Sequence, residues 1–200
     1  ADGYEAMLRF LFTRPGATND FRKLPRRLYV GATDQDAREH VLFGEEGLDD
    51  VPVSRAIQAS LSINPAFAST RIGERYYVDG AVTRTSDFTE AMRRGADLIF
   101  VLDPLVPYVS KGAAGFASRR GILYNADQDI RTVSFTRFET TRKWVLRQHP
   151  EVSLYTFLPA NRQRKVLSVN PMDHRPYLAI WRGAYLSTLQ RIHLLRHKMC

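Results

Sequence analysis

The apolar positions fall into alternating short runs and helical stripes. Met7, Leu8, Leu11 and Phe12 share one helical face, and Pro15-Gly16 stops that run before residue 24. Residues 27–33 read as a buried strand, and residues 39–43 as its neighbour, closed by Gly44. Pro52 opens a short helix through Ile57 and Ala59; proline suits a first turn, where a missing N–H costs little. Residues 62–69 form a loop broken at Asn64-Pro65. Residues 71–76 read as a tight hairpin turning at Gly73-Glu74. Tyr76-Tyr77-Val78 ends a strand, and Asp79-Gly80-Ala81 turns out of it.

Asp87 with Glu90 marks a capping-box-like helix start, and Gly95 the helix end. The continuous apolar run Leu98-Ile99-Phe100-Val101-Leu102 predicts a central strand covered on both faces. Residues 109–120 hold Gly, Ala, Ser and basic residues, and read as a loop. Ile122, Leu123, Ala126, Ile130, Val133 and Phe138 keep a helical period toward Leu146, and His149-Pro150 ends it. Residues 152–158 alternate into a further strand. A last helix over about 177–197 carries the stripe Leu178, Trp181, Tyr185, Leu189, Ile192 and Leu195. Strand, helix and strand in this order predict an α/β fold, a layered sheet flanked by helices.

Composition changes this picture little. In 200 residues, 44% hydrophobic and 25% charged, a closed core is expected rather than disorder. No apolar stretch is long enough to predict a transmembrane helix, and no signal-peptide pattern occurs. The expected location is therefore cytoplasmic or peripheral to a membrane. Lys and Arg number 29 against 21 Asp and Glu, a net +8 that favours an anionic partner without choosing one. Cys200 is the one cysteine, which excludes an internal disulfide and a cysteine-built zinc site. No cofactor and no metal is expected.

The chemistry concentrates at Tyr76-Tyr77-Val78-Asp79-Gly80-Ala81. A carboxylate at a strand end faces the crevice where α/β proteins place ligands. Gly80 permits a turn that a side chain would obstruct, and Ala81 leaves room beside the carboxylate. Such a carboxylate could touch a hydroxyl as a base, although an Asp-Gly pair alone is more often only a turn.

The neighbouring segments add specificity. Leu28-Tyr29-Val30-Gly31-Ala32-Thr33-Asp34, Val41-Leu42-Phe43, residues 56–67, Tyr77-Val78-Asp79-Gly80-Ala81 and residues 94–103 follow in order. Over about residues 24–104 the series resembles the second half of a patatin-like phospholipase domain. The late strand ending at Pro159, then Asn170-Pro171-Met172 and a final helix, are similar to bacterial members. The resemblance implies residues 1–104 as the C-terminal part of the catalytic domain, and 105–200 as a helical and strand region packing on it. It also implies a lipid acyl hydrolase with a Ser–Asp dyad and no histidine. Asp79 would be the base, with Gly80 and Ala81 supporting the motif.

The family's serine sits in a Gly-x-Ser-x-Gly elbow, absent from these 200 residues; Gly115-Phe116-Ala117-Ser118 has the wrong spacing. The serine and the oxyanion loop are thus expected before Ala1, in the N-terminal part of the same polypeptide, leaving this span incomplete and inert alone. The implied partners are a lipid ester substrate and an anionic membrane surface. The alternative is a catalytically inactive patatin-fold module that binds lipid or protein, and a nucleic-acid-binding domain is the weakest reading. Asn64-Pro65-Ala66 and Arg84-Thr85-Ser86 depart from the family's usual Pro-Gly and Asn-Pro, which touches loop shape and substrate preference.

Other candidates read as structural. Ser60 and Ser62 suit small-residue packing. Asp34 follows a strand end and could look catalytic, but in the resembled family this position is structural more often than chemical. Asp103 suits loop initiation at a strand end. His193 and His197 lack a third ligand at a known spacing, so a basic helix end is the better reading. Arg119-Arg120, Arg142-Lys143 and residues 162–165 could bind lipid headgroups or nucleic acid, but such charges are usually a solvated face. Phe135, Phe138 and Trp144 suit core or interface anchors.

Overall fold

A computed structural model describes residues 2–64, 67–112, 114–167 and 177–199, with backbone alone for Asp2, Leu195 and 197–199. Pro65-Ala66, Asn170-Pro171-Met172, the His197 side chain and Cys200 lie outside the described residues. The chain divides into two units, Ala1–Asp87 and Phe88–Cys200. The strand at 98–102 pairs with 153–157 inside the second unit.

The first unit holds helix α1 (Asp2–Phe12), strands β1 (Val30–Asp34) and β2 (His40–Phe43), helix α2 (Val53–Ser60) and strands β3 (Thr70–Ile72) and β4 (Arg75–Asp79). Its sheet runs β2-β1-β4-β3 with every neighbour antiparallel. The hairpin forms as expected: Ile72 faces Arg75 across Gly73-Glu74, and Gly73 takes φ +59°, a conformation that favours glycine. β1 starts at Val30, three residues later than expected, and Pro52 caps α2 from just outside rather than opening its first turn.

The α2 face pairs with the sheet through Ala32, Phe43, Val53, Ala56, Ala59 and Tyr77, with Phe43 and Tyr77 edge to face at 5.1 Å. The α1 face differs from the sequence reading. Leu8 and Glu5 are buried, while Met7 and Leu11 are exposed. A buried polar knot explains the rotation: Ser54 Oγ donates to Glu5 Oε1 at 2.8 Å, and Asn19 bonds both the backbone and the hydroxyl of Ser54.

The second unit holds α3 (Phe88–Arg93), β5 (Leu98–Leu102), α4 (Ile122–Gln148), β6 (Ser153–Phe157), α5 (Asn161–Leu167) and α6 (Tyr177–Met199). β5 and β6 pair in parallel, as a strand–helix–strand crossover requires. The core joins Phe88, Ile99, Val101, Phe138, Val145 and Val152. Two expectations need correction. β5 is buried on one face only: Ile99 and Val101 are inside, while Leu98, Phe100 and Leu102 are exposed. In α4, Ile122, Leu123, Ile130 and Val133 are exposed, and the inward line is Arg131, Phe138 and Val145. Both α4 faces carry apolar residues, and an Asp127 carboxylate 2.8 Å from Arg131 Nε lets the charged face turn inward.

Candidate active site

Asp79 ends β4 opposite Ala32 of β1 and caps the short 3₁₀ turn Gly80–Val82. Its sheet is antiparallel, so the crevice at the ends of parallel strands does not place it. Four local contacts do. The Asp79 N–H donates to the Ser62 carbonyl at 3.1 Å. The Asp79 carbonyl accepts from Thr33 Oγ1 at 3.1 Å. The Ala81 N–H donates to Asp79 Oδ1 at 2.7 Å. At Gly80 a Cβ would lie 2.7 Å from the Gly31 carbonyl oxygen, so only glycine lets the turn close on β1. Gly80 acts through this close approach and not through a positive φ, while Ala81 contributes its N–H.

The Asp79 side chain is half-buried, with Oδ1 anchored and no partner for Oδ2 among the described residues. Burial raises its carboxyl above the ordinary value, and the Ala81 N–H offsets part of the rise. A carboxylate with one oxygen fixed and the other open, and with raised proton affinity, can take a proton from a hydroxyl brought to it.

A polar chain supports the turn from behind. Thr83 Oγ1 lies 2.8 Å from Thr33 Oγ1 and 3.0 Å from His40 Nδ1, and the His40 Nε2 lies 2.9 Å from Asp87 Oδ1. Gly31 makes room for it: a Cβ there would reach Asp87 Oδ2 and His40 Cε1 within 3.0 Å. Asp87, expected to start the next helix, thus reaches back to β2. No spacing in the sequence points to this chain of contacts, since His40 and Thr83 are 43 positions apart.

The remaining candidates separate from the site. Asp34 is buried; its Oδ1 accepts from the Asp36 and Ala37 N–H groups, and its Oδ2 pairs with Arg75 Nη1 at 2.7 Å. The Ala37 N–H, then the Arg75 guanidinium, hold its carboxyl below the usual range against the opposing effect of burial. Asp34 is a turn pin. Ser62 is buried, donating to the Gln58 carbonyl at 2.9 Å and lying 2.9 Å from Thr70 Oγ1; it serves Asp79 through its carbonyl.

Asp103 accepts from the Leu105 N–H at 2.9 Å, as a loop starter should. Burial raises its carboxyl, with that N–H, Arg131 and Arg164 pulling it back. Ser118 donates to the Gly115 carbonyl at 2.9 Å at the start of a 3₁₀ turn into which no strand leads directly, since β5 ends at Leu102. His193 stands exposed on α6, and the described residues bring together no metal-binding group of three His, Cys, Asp or Glu. Arg142 is paired with Glu139 at 2.8 Å, Arg120 lies over the Phe116 ring, and Trp144 is exposed while Phe138 is core.

Residues 1–92 match the family model described as patatin-like phospholipase. The match takes in all of the Asp79 surroundings and begins earlier than the segments that carry the sequence resemblance, and it stops short of β5. No curated protein matches the chain.

Proposed function

We propose, because residues 1–92 match the model of the patatin-like phospholipases, a family of lipid acyl hydrolases, that this chain supplies the aspartate of a Ser–Asp dyad, with Asp79 as the base. One observation carries the reading: inside the matched segment, one carboxylate is partly desolvated, with Oδ1 tied to a backbone N–H and Oδ2 left open. As a serine hydroxyl attacks an ester carbonyl, Asp79 takes the hydroxyl proton and the serine oxygen bonds the carbonyl carbon. Collapse of the tetrahedral intermediate expels the alcohol, which receives the proton, and leaves an acyl-serine. Water then attacks the acyl-serine with the same carboxylate taking its proton, and collapse releases the fatty acid as that proton returns to the serine oxygen.

No Gly-x-Ser-x-Gly segment occurs in these 200 residues, and the N-terminal part of a longer polypeptide is the proposed source of the serine. The substrate proposed is a phospholipid or another lipid ester. The Asp87–His40–Thr83–Thr33 chain holds the turn and takes no part in proton transfer.

The test is hydrolysis of a phospholipid and of a short-chain ester by the polypeptide that carries this chain together with a Gly-x-Ser-x-Gly segment. Asp79→Asn should lower kcat by about 10²–10⁴, the usual contribution of a positioned base, with the fold intact. Hydrolysis at the parental rate would remove Asp79 from the mechanism. A gene with no such segment beside this chain favours the inactive lipid- or protein-binding module.

A further inference from the structure

The C-terminal helix carries a surface that the hydrolase reading does not use. α5 covers one flank of α6: a Cβ at Gly183 would lie 3.0 Å from Gln163 Nε2, which donates to Ser187 Oγ at 3.4 Å. On the other side Leu178, Trp181, Tyr185, Leu189 and Ile192 follow one another at helical spacing in a single stripe. All five are exposed, from 75% at Leu178 to 41% at Ile192. The Trp181 and Tyr185 rings stack with centroids 5.8 Å apart, and both are open to solvent.

Charge identifies the occupant. α6 contains Arg182, Arg191 and Arg196 and no Asp or Glu, and α5 adds Arg162 and Lys165, again with no acid. An apolar stripe with Trp and Tyr rings, on a helix pair whose charged residues are all Lys or Arg, fits the headgroup boundary of an anionic bilayer. Leucine and isoleucine enter the acyl region, the rings sit at the interface, and the guanidiniums meet lipid phosphates. Nucleic acid would engage the cations and rings but leave the aliphatic Leu178, Leu189 and Ile192 in water. No described helix is long and apolar enough to cross a membrane, so a membrane contact of α6 would run along the surface.

We propose that α6 is an interfacial helix that seats this chain on anionic membranes through the Leu178–Ile192 stripe. The proposal stands apart from the hydrolase reading, since binding needs neither a serine nor Asp79.

Co-sedimentation of the 200-residue chain with vesicles tests it. Vesicles of phosphatidylcholine alone are compared with vesicles containing about 30% phosphatidylglycerol, and the anionic vesicles should bind the chain at least tenfold better. Trp181→Ala with Tyr185→Ala should lower that binding about tenfold or more. Arg182→Gln with Arg191→Gln should lower it roughly 25-fold on anionic vesicles and leave neutral ones unchanged. In a Trp144→Phe background, Trp181 fluorescence should shift to the blue only with anionic vesicles. Asp79→Asn should bind like the parent, which separates this test from that of the dyad. Absent binding, equal binding to both vesicles, or stripe variants that bind like the parent would overturn the proposal. So would a chain that stays off vesicles but loses self-association in light scattering when the stripe is changed.

Discussion

Replacing Asp79 with Asn should make the fold more stable at neutral pH while disabling the proposed chemistry. The side chain keeps its shape, and its oxygen can still accept from the Ala81 N–H now 2.7 Å from Oδ1. What changes is charge. A bond to a neutral oxygen is weaker than one to a carboxylate by about 1 kcal/mol. Against that stands the relief of a desolvated charge, and the raised carboxyl shows that burial outweighs the N–H. Water still reaches part of the side chain and screens it, so the net gain stays small, about 1 kcal/mol, the low end for relieving a functional site. For a cooperative transition the size of the first unit this is about 4–8 °C in Tm.

The pH dependence distinguishes this cause from others. A carboxyl raised in the folded state favours folding below its unfolded value of 3.8 and opposes it as pH rises through the folded midpoint. The Asn variant should therefore be the more stable protein at pH 7, and the two should converge by about pH 3. Urea unfolding followed by circular dichroism across this range measures it. A variant less stable than the parent at pH 7, or a gain that does not vary with pH, would refute the reasoning.

Three further outcomes follow from the geometry. Asp34→Ala removes the acceptor of two backbone N–H groups and should cost about 2 kcal/mol at pH 7 by urea unfolding. Because its carboxyl is held low, that cost should persist above the unfolded value of 3.8 and fade as pH drops through the lower folded value. Gly80→Ala drives a methyl against the Gly31 backbone at 2.7–2.9 Å and should cost about 1–3 kcal/mol, with faster amide exchange where Ala32 faces Asp79. Phe138→Ala empties the position edge to face with Phe88 and should cost about 3–5 kcal/mol in the unfolding of the second unit.

What the sequence made legible was local. Gly73 marked the hairpin because one residue there needs a left-handed backbone, and Tyr77-Val78-Asp79-Gly80 marked a strand end because alternation stops at glycine. What it hid was set by partners distant along the chain. α4 has apolar residues on both faces, so periodicity could not say which would be buried; Asp127 beside Arg131 decided it. The run at 98–102 read as doubly covered because every residue is apolar, yet burial alternates along it. At the site, Asp79 was readable as a turn carboxylate. The Thr33, His40, Thr83 and Asp87 contacts behind it were not, because antiparallel pairing brings them together and none of them forms a motif.

The proposed proton transfer requires a carboxyl that holds a proton more tightly than a solvated aspartate does. Carbon-detected NMR titration of the Asp79 side chain, assigned by its loss in Asp79→Asn, measures this in the chain itself. A midpoint above 3.8 is the predicted result, and a midpoint at or below it would contradict the assignment of Asp79 as the base.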